Sequence, residues 1–420
     1  MNLRNMTLYS VFIRNHGGTF NAVGKDIPRI RSLGADIIWL LPVHPIGKAQ
    51  RKGTLGSPYA ISDYRKVNPE YGTFDDFCRL ADIVHANGMK LMIDVVYNHT
   101  SPDSWLAEHH PEWFYHKPDG SFGNRIGDWS DIVDLDYTHR ELWEYQAETL
   151  KMWAGIVDGF RCDVAPLVPL DFWLYARKEV EKVRPGCIWL AESVEPEFIR
   201  ENRNRGMISH SDAELYQAFD ICYDYDVYGD FIRYVQGISN LPDYVAALIR
   251  QESIYPENYV KLRFLENHDR VRMAFLFPDM KVQRNWLAWM FFQKGTALLY
   301  GGQEWAVVHK PDLFNKDPVL MDGEACYSDL IPKLSTLKKN NIFSEGIYSI
   351  NAFPNDILLT EWKKDNEKII GVFSLKANNA VIPVNIPDGE YINYLDDRPV
   401  HIEGSMLSSQ GEPIIILAKE

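Results

Sequence analysis

The sequence predicts an α/β protein: a (β/α)8 TIM barrel with a short excursion after its third strand, followed by a C-terminal antiparallel β-sandwich domain. Three observations carry this prediction. Up to about residue 305, short β-branched or aromatic runs alternate with amphipathic stretches of helical length, the pattern of parallel strands joined by helices. Eight strand-like runs can be counted there, the number that closes a barrel. After Lys339-Asn340-Asn341 the pattern becomes purely strand-like. At 420 residues the chain has room for both parts, since a barrel takes roughly 250.

In chain order the barrel strands are read at residues 8–13, 36–41, 90–96, 159–164, 187–191, 218–223, 262–265 and 296–300, and the intervening helices include 74–86, 140–153, 170–183 and 244–251. The sixth unit has the weakest pattern. Residues 101–138 interrupt the rhythm: they are rich in Pro, Gly, Asp and aromatics (Trp105, Trp113, Phe114, Tyr115, Trp129), and a loop of that length is usually functional. On a barrel it leaves the C-terminal face of strand three, where active sites are built. The domains are therefore expected at 1–100 with 139–341 (barrel), 101–138 (excursion) and 342–420 (β domain, with strands at 357–362, 368–375, 381–386, 390–395 and 413–417). Tyr348, Trp362, Tyr391 and Tyr394 in the last part read as sheet packing rather than a sugar platform.

Lysine and arginine number 44 against 58 aspartates and glutamates, a formal charge of −14 that repels phosphate backbones and anionic membranes. A neutral or cationic small molecule is the expected partner, with no nucleic acid and no membrane. Met1-Asn2-Leu3-Arg4-Asn5-Met6 contains no apolar signal core, and no stretch reaches the roughly 18 apolar residues of a membrane span, so a cytoplasmic location is expected. The five cysteines, Cys78, Cys162, Cys187, Cys222 and Cys326, are odd in number, scattered and without a C-x-x-C pair, which argues against disulfides and zinc. Cys162 and Cys187 lie in apolar runs and read as small buried hydrophobes.

Polar groups gather at the ends of four strands. Strand three ends in Asp94-Val95-Val96-Tyr97-Asn98-His99, strand four in Arg161-Cys162-Asp163, strand five in Ala191-Glu192 and strand seven in Glu266-Asn267-His268-Asp269. All four ends meet at one mouth of a barrel. Alternation along strand four puts Arg161 and Asp163 on one face and Cys162 on the other. A guanidinium beside a carboxylate favours its ionised, nucleophilic form, whereas Glu192, after the apolar Ile188-Trp189-Leu190-Ala191, sits where a carboxyl keeps its proton. Carboxyls with such contrasting environments, among histidines and asparagines, suit glycosidic cleavage through an oxocarbenium-like transition state. No G-x-S-x-G, Walker A, H-E-x-x-H or post-strand G-x-G-x-x-G is present to support an esterase, NTPase, zincin or dinucleotide enzyme.

With these residues in place the chain resembles the α-amylase family, glycoside hydrolase family 13, over nearly its whole length. Asp94 to His99 is similar to that family's first conserved region, Gly159-Phe160-Arg161-Cys162-Asp163 to the second, Glu192 to the third and Asn267-His268-Asp269 to the fourth. The resemblance implies that Asp163 is the nucleophile, Glu192 the general acid/base and Asp269 the transition-state stabiliser. It further implies that His99, Arg161 and His268 bind the sugar at the cleavage point and that Asp94 orients Arg161. Tyr59 and Asp63 would be a tyrosine stacking on that sugar and its supporting acid. Tyr64 and Tyr97 can equally be rim packing.

Where the family's secreted amylases carry Lys and His after the nucleophile's strand, this chain has Val164-Ala165-Pro166-Leu167. Asp163-Val164-Ala165 looks closer to maltogenic amylases and neopullulanases, but the N-terminal β domain of those enzymes is not in this sequence, and residues 101–138 are short for the family's second domain. The expectation is an intracellular enzyme on short α-1,4-glucans, with an α-glucanotransferase on the same scaffold as the first rival. A non-catalytic binding barrel is the second, and it would be expected to have lost Asp163, Glu192 or Asp269, all of which are present. No cofactor is required for this chemistry. The resemblance also offers a structural Ca²⁺, with Asn98, Asp134 and the carbonyl of Leu167 as donors; the alternative is a solvated acidic loop with Asp128, Asp131, Asp134 and Asp136.

Overall fold

A computed structural model of the chain describes residues 2–127 and 129–419; Asp128 of the acidic loop therefore lies outside the described residues. Eight parallel strands close into a barrel: β1 Thr7–Val11, β2 Ile37–Leu40, β3 Lys90–Val95, β4 Gly159–Cys162, β5 Ile188–Ala191, β6 Ile221–Tyr223, β7 Lys261–Arg263 and β8 Thr296–Tyr300. Their order around the barrel is β1-β8-β7-β6-β5-β4-β3-β2. Several strands are shorter than the apolar runs that announced them. β1 stops at Val11 because Ile13 opens a 3-10 turn, and Ala218 closes the turn after the helix Asp212–Leu215 by donating its N–H to Leu215 O, so β6 begins only at Ile221.

Period-two alternation sorts each strand's residues between two apolar clusters. Leu8, Ile37, Trp39, Met92, Ile188, Leu190, Ile221, Tyr223, Leu262 and Leu298 fill the barrel interior. Their neighbours Ile38, Leu40, Ile93, Phe160, Cys162, Trp189, Cys222 and Leu299 face the helices. Those helices start where the sequence caps them. Thr73 and Asp76 form a reciprocal capping box at Phe74–Ala86, and Asn240 and Asp243 do the same at Leu241–Ile254. Cys162, Cys187 and Cys222 are buried free thiols.

The excursion is a folded appendage rather than open loop. His99–Thr100 pairs antiparallel with Val133–Asp134, and the intervening chain holds a short helix, Trp105–His109. The antiparallel part begins at Ile347. Strands β9 Ile347–Phe353, β10 Ile357–Lys364, β11 Glu367–Ser374 and β16 Ile414–Lys419 form one sheet in the order β9-β10-β11-β16. Strands β12 Asn379–Pro383, β13 Gly389–Ile392, β14 Pro399–Glu403 and β15 Met406–Gln410 form the second, in the order β12-β15-β14-β13. Ile370, Val372 and Ile416 from the first meet Ile382, Ile402 and Leu407 from the second, which makes the sandwich. Trp362 is buried and donates its indole N–H to Phe292 O (2.9 Å), fastening the sandwich to the barrel's outer layer. Among the described residues no helix is long and apolar enough to cross a membrane.

Candidate active site

The same alternation that fills the barrel places the polar cluster. On β3 the inward residue after Met92 is Asp94; on β4 the inward positions after Gly159 are Arg161 and then Asp163; on β5 the residue following Ile188 and Leu190 is Glu192. The last inward position of each strand thus rises out of the apolar core at the C-terminal end. Trp39 forms the floor beneath, with the Arg161 guanidinium 5.2 Å from its ring centre.

Arg161 is fully buried and organises three acids. Its Nη1 donates to Asp94 Oδ1 (2.7 Å) and to Asp163 Oδ1 (2.9 Å), and its Nε donates to the Tyr223 hydroxyl (3.2 Å). Nη2 lies 2.9 Å from Glu192 Oε1 but its N–H groups point off that oxygen, so this contact is coulombic and not a hydrogen bond. Glu192 Oε2 instead accepts from the Val164 amide (2.8 Å). Val164 delivers that N–H from a left-handed backbone, φ +36°, a conformation a β-branched residue adopts only under constraint.

One cation cannot offset three buried acids. Burial pushes Glu192 up to about 8 and Asp94 and Asp163 up to about 7, with Arg161 pulling each of them down. The sequence argument that Arg161 alone would hold Asp163 low therefore gives way to desolvation. Asp163 and Glu192 differ in their contacts: Asp163 accepts a hydrogen bond from Arg161 that Glu192 lacks.

A cavity of about 330 Å³ opens over this cluster, lined by Tyr59, His99, Asp163, Glu192, His268 and Asp269, with Lys52, Ser57, Trp129, Asp131, Ile132, Val164, Leu313 and Phe314 completing the wall. The Tyr59 ring stacks on His268 at 5.5 Å and 15°; its hydroxyl donates to Asp94 Oδ2 (3.2 Å) and lies 2.7 Å from His268 Nε2. His268 Nε2 is also 3.2 Å from Asp269 Oδ2. Burial lowers both His99 and His268 to about 4, so both imidazoles are neutral at pH 7. Asp269, in the loop after β7, is more open than Asp163 and Glu192 and donates its N–H to Asn267 Oδ1 (2.9 Å).

Asp63 does not belong to this constellation. Its Oδ1 accepts from Arg65 N (2.9 Å) and its Oδ2 pairs with Lys66 Nζ (2.8 Å), because residues 62–66 turn away from the cavity; the acid supporting Tyr59 is Asp94. Tyr64 and Tyr97 are buried packing residues. The Tyr64 hydroxyl reaches the Val96 and His99 carbonyls (2.7 Å each), and that of Tyr97 reaches Gln146 O (3.2 Å). Sequence reasoning did not find Lys52, Leu313 and Phe314, which sit on loops with no periodic signal, or Tyr223, whose inward place at the end of β6 follows from the alternation that exposed Asp94 and Glu192.

Asn98, Asp134 and Leu167 line a second cavity, about 300 Å³, together with Arg125. Asp134 is buried and its Oδ2 accepts from the Arg125 amide (2.7 Å), with the Arg125 guanidinium 3.5 Å away; its Oδ1 has no hydrogen-bond partner, and burial raises the carboxyl to about 6. Asn98 turns its Nδ2 to His99 Nδ1 (3.1 Å). Calcium takes six to eight oxygens. Here a guanidinium already faces the one buried carboxylate of the candidate set. The Arg125 guanidinium would compete with a calcium ion for this carboxylate.

The catalytic-domain model of the α-amylases matches residues 12–129 and 107–345, and the model of the bacterial α-amylase C-terminal domain matches residues 349–416. The solved α-amylase of Lactobacillus plantarum is 49% identical, covers 99% of each chain and superposes with a TM-score of 0.97. The noncanonic maltogenic α-amylase of Thermotoga neapolitana is 35% identical over 100% of both chains, with a TM-score of 0.89. Among curated proteins, the α-1,4-glucan:maltose-1-phosphate maltosyltransferase of Rhodospirillum rubrum is 26% identical over 88% of this chain and 54% of its own length. That of Cereibacter sphaeroides is 34% identical over 42% of this chain and 29% of its own length. The chain thus spans about half or less of the length of these curated relatives. With its eight-stranded barrel bearing this cluster of acids and matched by the catalytic-domain model, and its β sandwich matched by the C-terminal-domain model, the chain belongs to the α-amylase family of enzymes.

Proposed function

We propose that this enzyme is a retaining α-glycoside hydrolase that cleaves α-1,4 bonds in maltooligosaccharides or starch-like glucans. The observation that carries the reading is the pair Asp163 and Glu192, bracketed by one guanidinium on the wall of a sugar-sized cavity, of which only Asp163 accepts a hydrogen bond from it. A shared guanidinium supports the shorter carboxyl separation, roughly 5 to 5.5 Å, that belongs to retention.

In the first step Glu192 gives its proton to the glycosidic oxygen while Asp163 attacks the anomeric carbon; the carbon–oxygen bond to the leaving sugar breaks as the ester forms. Asp163 Oδ1 is occupied by Arg161, which leaves Oδ2 to attack. Glu192, now ionised, takes a proton from water, whose oxygen attacks the anomeric carbon from the face the leaving sugar vacated, opposite the Asp163 ester, and displaces Asp163, restoring both carboxyls. Neutral His99 and His268 and the Tyr59 hydroxyl bind sugar hydroxyls, and Asp269 faces the developing positive charge.

The curated relatives are named maltosyltransferases, which keeps a glucanotransferase in view: the same ester would then be taken by a sugar hydroxyl instead of water. Incubation with maltotriose separates the two. Hydrolysis is expected to yield glucose and maltose with the α-anomer formed first, whereas transfer would yield oligomers longer than the substrate from the earliest time points.

The chemistry calls for no metal, and the guanidinium beside Asp134 supports a fold that does without calcium. A chelator is expected to leave the melting temperature unmoved, while Arg125→Met lowers it by about 2 to 4 °C. A large drop with chelator, reversed by added Ca²⁺, would reinstate the ion.

A further inference from the structure

The catalytic cavity ends against three loops, two of which an ion pair ties together. Lys52 stands on the loop after β2, Asp131 on the excursion after β3, and Leu313 and Phe314 on the loop after β8; all four line the cavity. Lys52 Nζ lies 2.9 Å from Asp131 Oδ1, whose side chain is buried, and 6.0 Å from the centre of the Phe314 ring. The loops after β2 and β8 are knit together independently. Leu55 N donates to Phe314 O (2.9 Å), the amide and hydroxyl of Thr54 donate to Asn315 Oδ1 (2.9 and 2.8 Å), and Arg14 Nη1 donates to the Gly56 and Leu313 carbonyls (3.0 Å each). At Gly53, φ +62°, a Cβ would come within 2.6 Å of Phe314 Cβ, so the close approach itself requires glycine.

β8, β1, β2 and β3 are consecutive around the barrel, and their loops make one side of the mouth, whereas Asp163 and Glu192 rise from β4 and β5 on the other. Resting on the reading of the site as a glycosidase, Glu192 marks the side from which the leaving portion departs. The joined loops then stand on the other side of the scissile bond, where the retained portion of the chain lies. We propose that the Lys52–Asp131 ion pair, backed by Phe314, closes that end of the cleft and fixes how few glucosyl units are accepted ahead of the bond that breaks, so that glucans are cut close to their non-reducing ends. The ammonium donates to, and the carboxylate accepts from, the hydroxyls of the terminal sugar, while Phe314 offers an apolar face to its ring. A chain that continued further would have to separate a buried carboxylate from its cation.

The test uses maltoheptaose with a nitrophenyl group at its reducing end, in two forms, one with a free non-reducing end and one with that end blocked by an ethylidene acetal. The wild-type protein is expected to prefer the free form by at least about tenfold in kcat/KM, and Lys52→Ala to narrow that preference by about tenfold while lengthening the products released from unlabelled glucan. Phe314→Ala should act in the same direction without disturbing the ion pair, and Lys52→Arg should return the preference toward wild type; melting curves check that each variant is folded. Equal turnover of both forms by the wild type, or an unchanged preference in folded Lys52→Ala and Phe314→Ala, would overturn the proposal while leaving the glycosidase reading intact. Failure of the wild type to cleave any α-glucan would sink the glycosidase reading, and this inference with it.

Discussion

Asp163→Asn is expected to lower kcat on maltooligosaccharides by about 10⁴- to 10⁶-fold, the scale seen when a nucleophile that acts as part of a unit is removed. The loss should extend to aryl α-glycosides with good leaving groups, because no glycosyl ester can form whatever departs. Stability should move the other way. Burial raises the folded-state carboxyl to about 7, above its unfolded value, so its ionisation opposes folding. That cost is absent below the unfolded pKa near 4 and complete once the pH has passed about 7. Asparagine removes it, and thermal melting at pH 8 should find the variant at or above the wild-type temperature. Substantial turnover by Asp163→Asn, in a preparation free of deamidated protein, would remove Asp163 from the nucleophile's role.

Glu192→Gln is expected to cut kcat on maltooligosaccharides by about 10²- to 10⁴-fold with the fold unchanged. Its signature differs from that of Asp163→Asn. An aryl glycoside needs little help in departing, so the first step survives in Glu192→Gln and the second, which needs a base, does not; a burst of one aryl alcohol per active site should be followed by near silence. The pH profile supplies an independent check. As the acid, Glu192 must hold a proton, and burial raises its carboxyl well above the ordinary range, so wild-type kcat/KM should fall on the alkaline side of the profile; the acidic limb is set by Asp163, which must be ionised and is itself raised by burial. In Glu192→Gln the alkaline limb should vanish. Near wild-type turnover in this variant would exclude the assignment.

The barrel and its acids were legible in the sequence for one physical reason, the period of two along a strand. Met92 followed by Asp94, Gly159 by Arg161 and Asp163, and Leu190 by Glu192 each put an inward polar residue one step beyond an inward small or apolar one, and the barrel brings those steps to a common mouth. The same rule places Tyr223, which went unread because a tyrosine in an apolar run looks like core. Asp63, carried over with Tyr59 from the family resemblance, stands outside the cavity, where it meets the Arg65 amide and Lys66. β14 and β15 escaped notice because only Val400, Ile402 and Leu407 are buried apolar positions in a hairpin whose outer face is largely polar, and β9 because it is an edge strand with Ile350 as its single buried position. Lys52 and Phe314 could not be read at all, since loop residues hundreds of positions apart meet only once the barrel has closed.

The two-rung ladder of His99–Thr100 with Val133–Asp134 has a geometric consequence. It anchors both ends of residues 101–132 at the rim, directly beside a histidine of the cavity, so the segment between them is a tethered insert whose length is not tied to the registration of the acids. Doubling such a segment adds only about 0.6 kcal/mol of closure entropy. Resizing the insert would thus reshape one wall of the cavity while the acids stay where the strands put them.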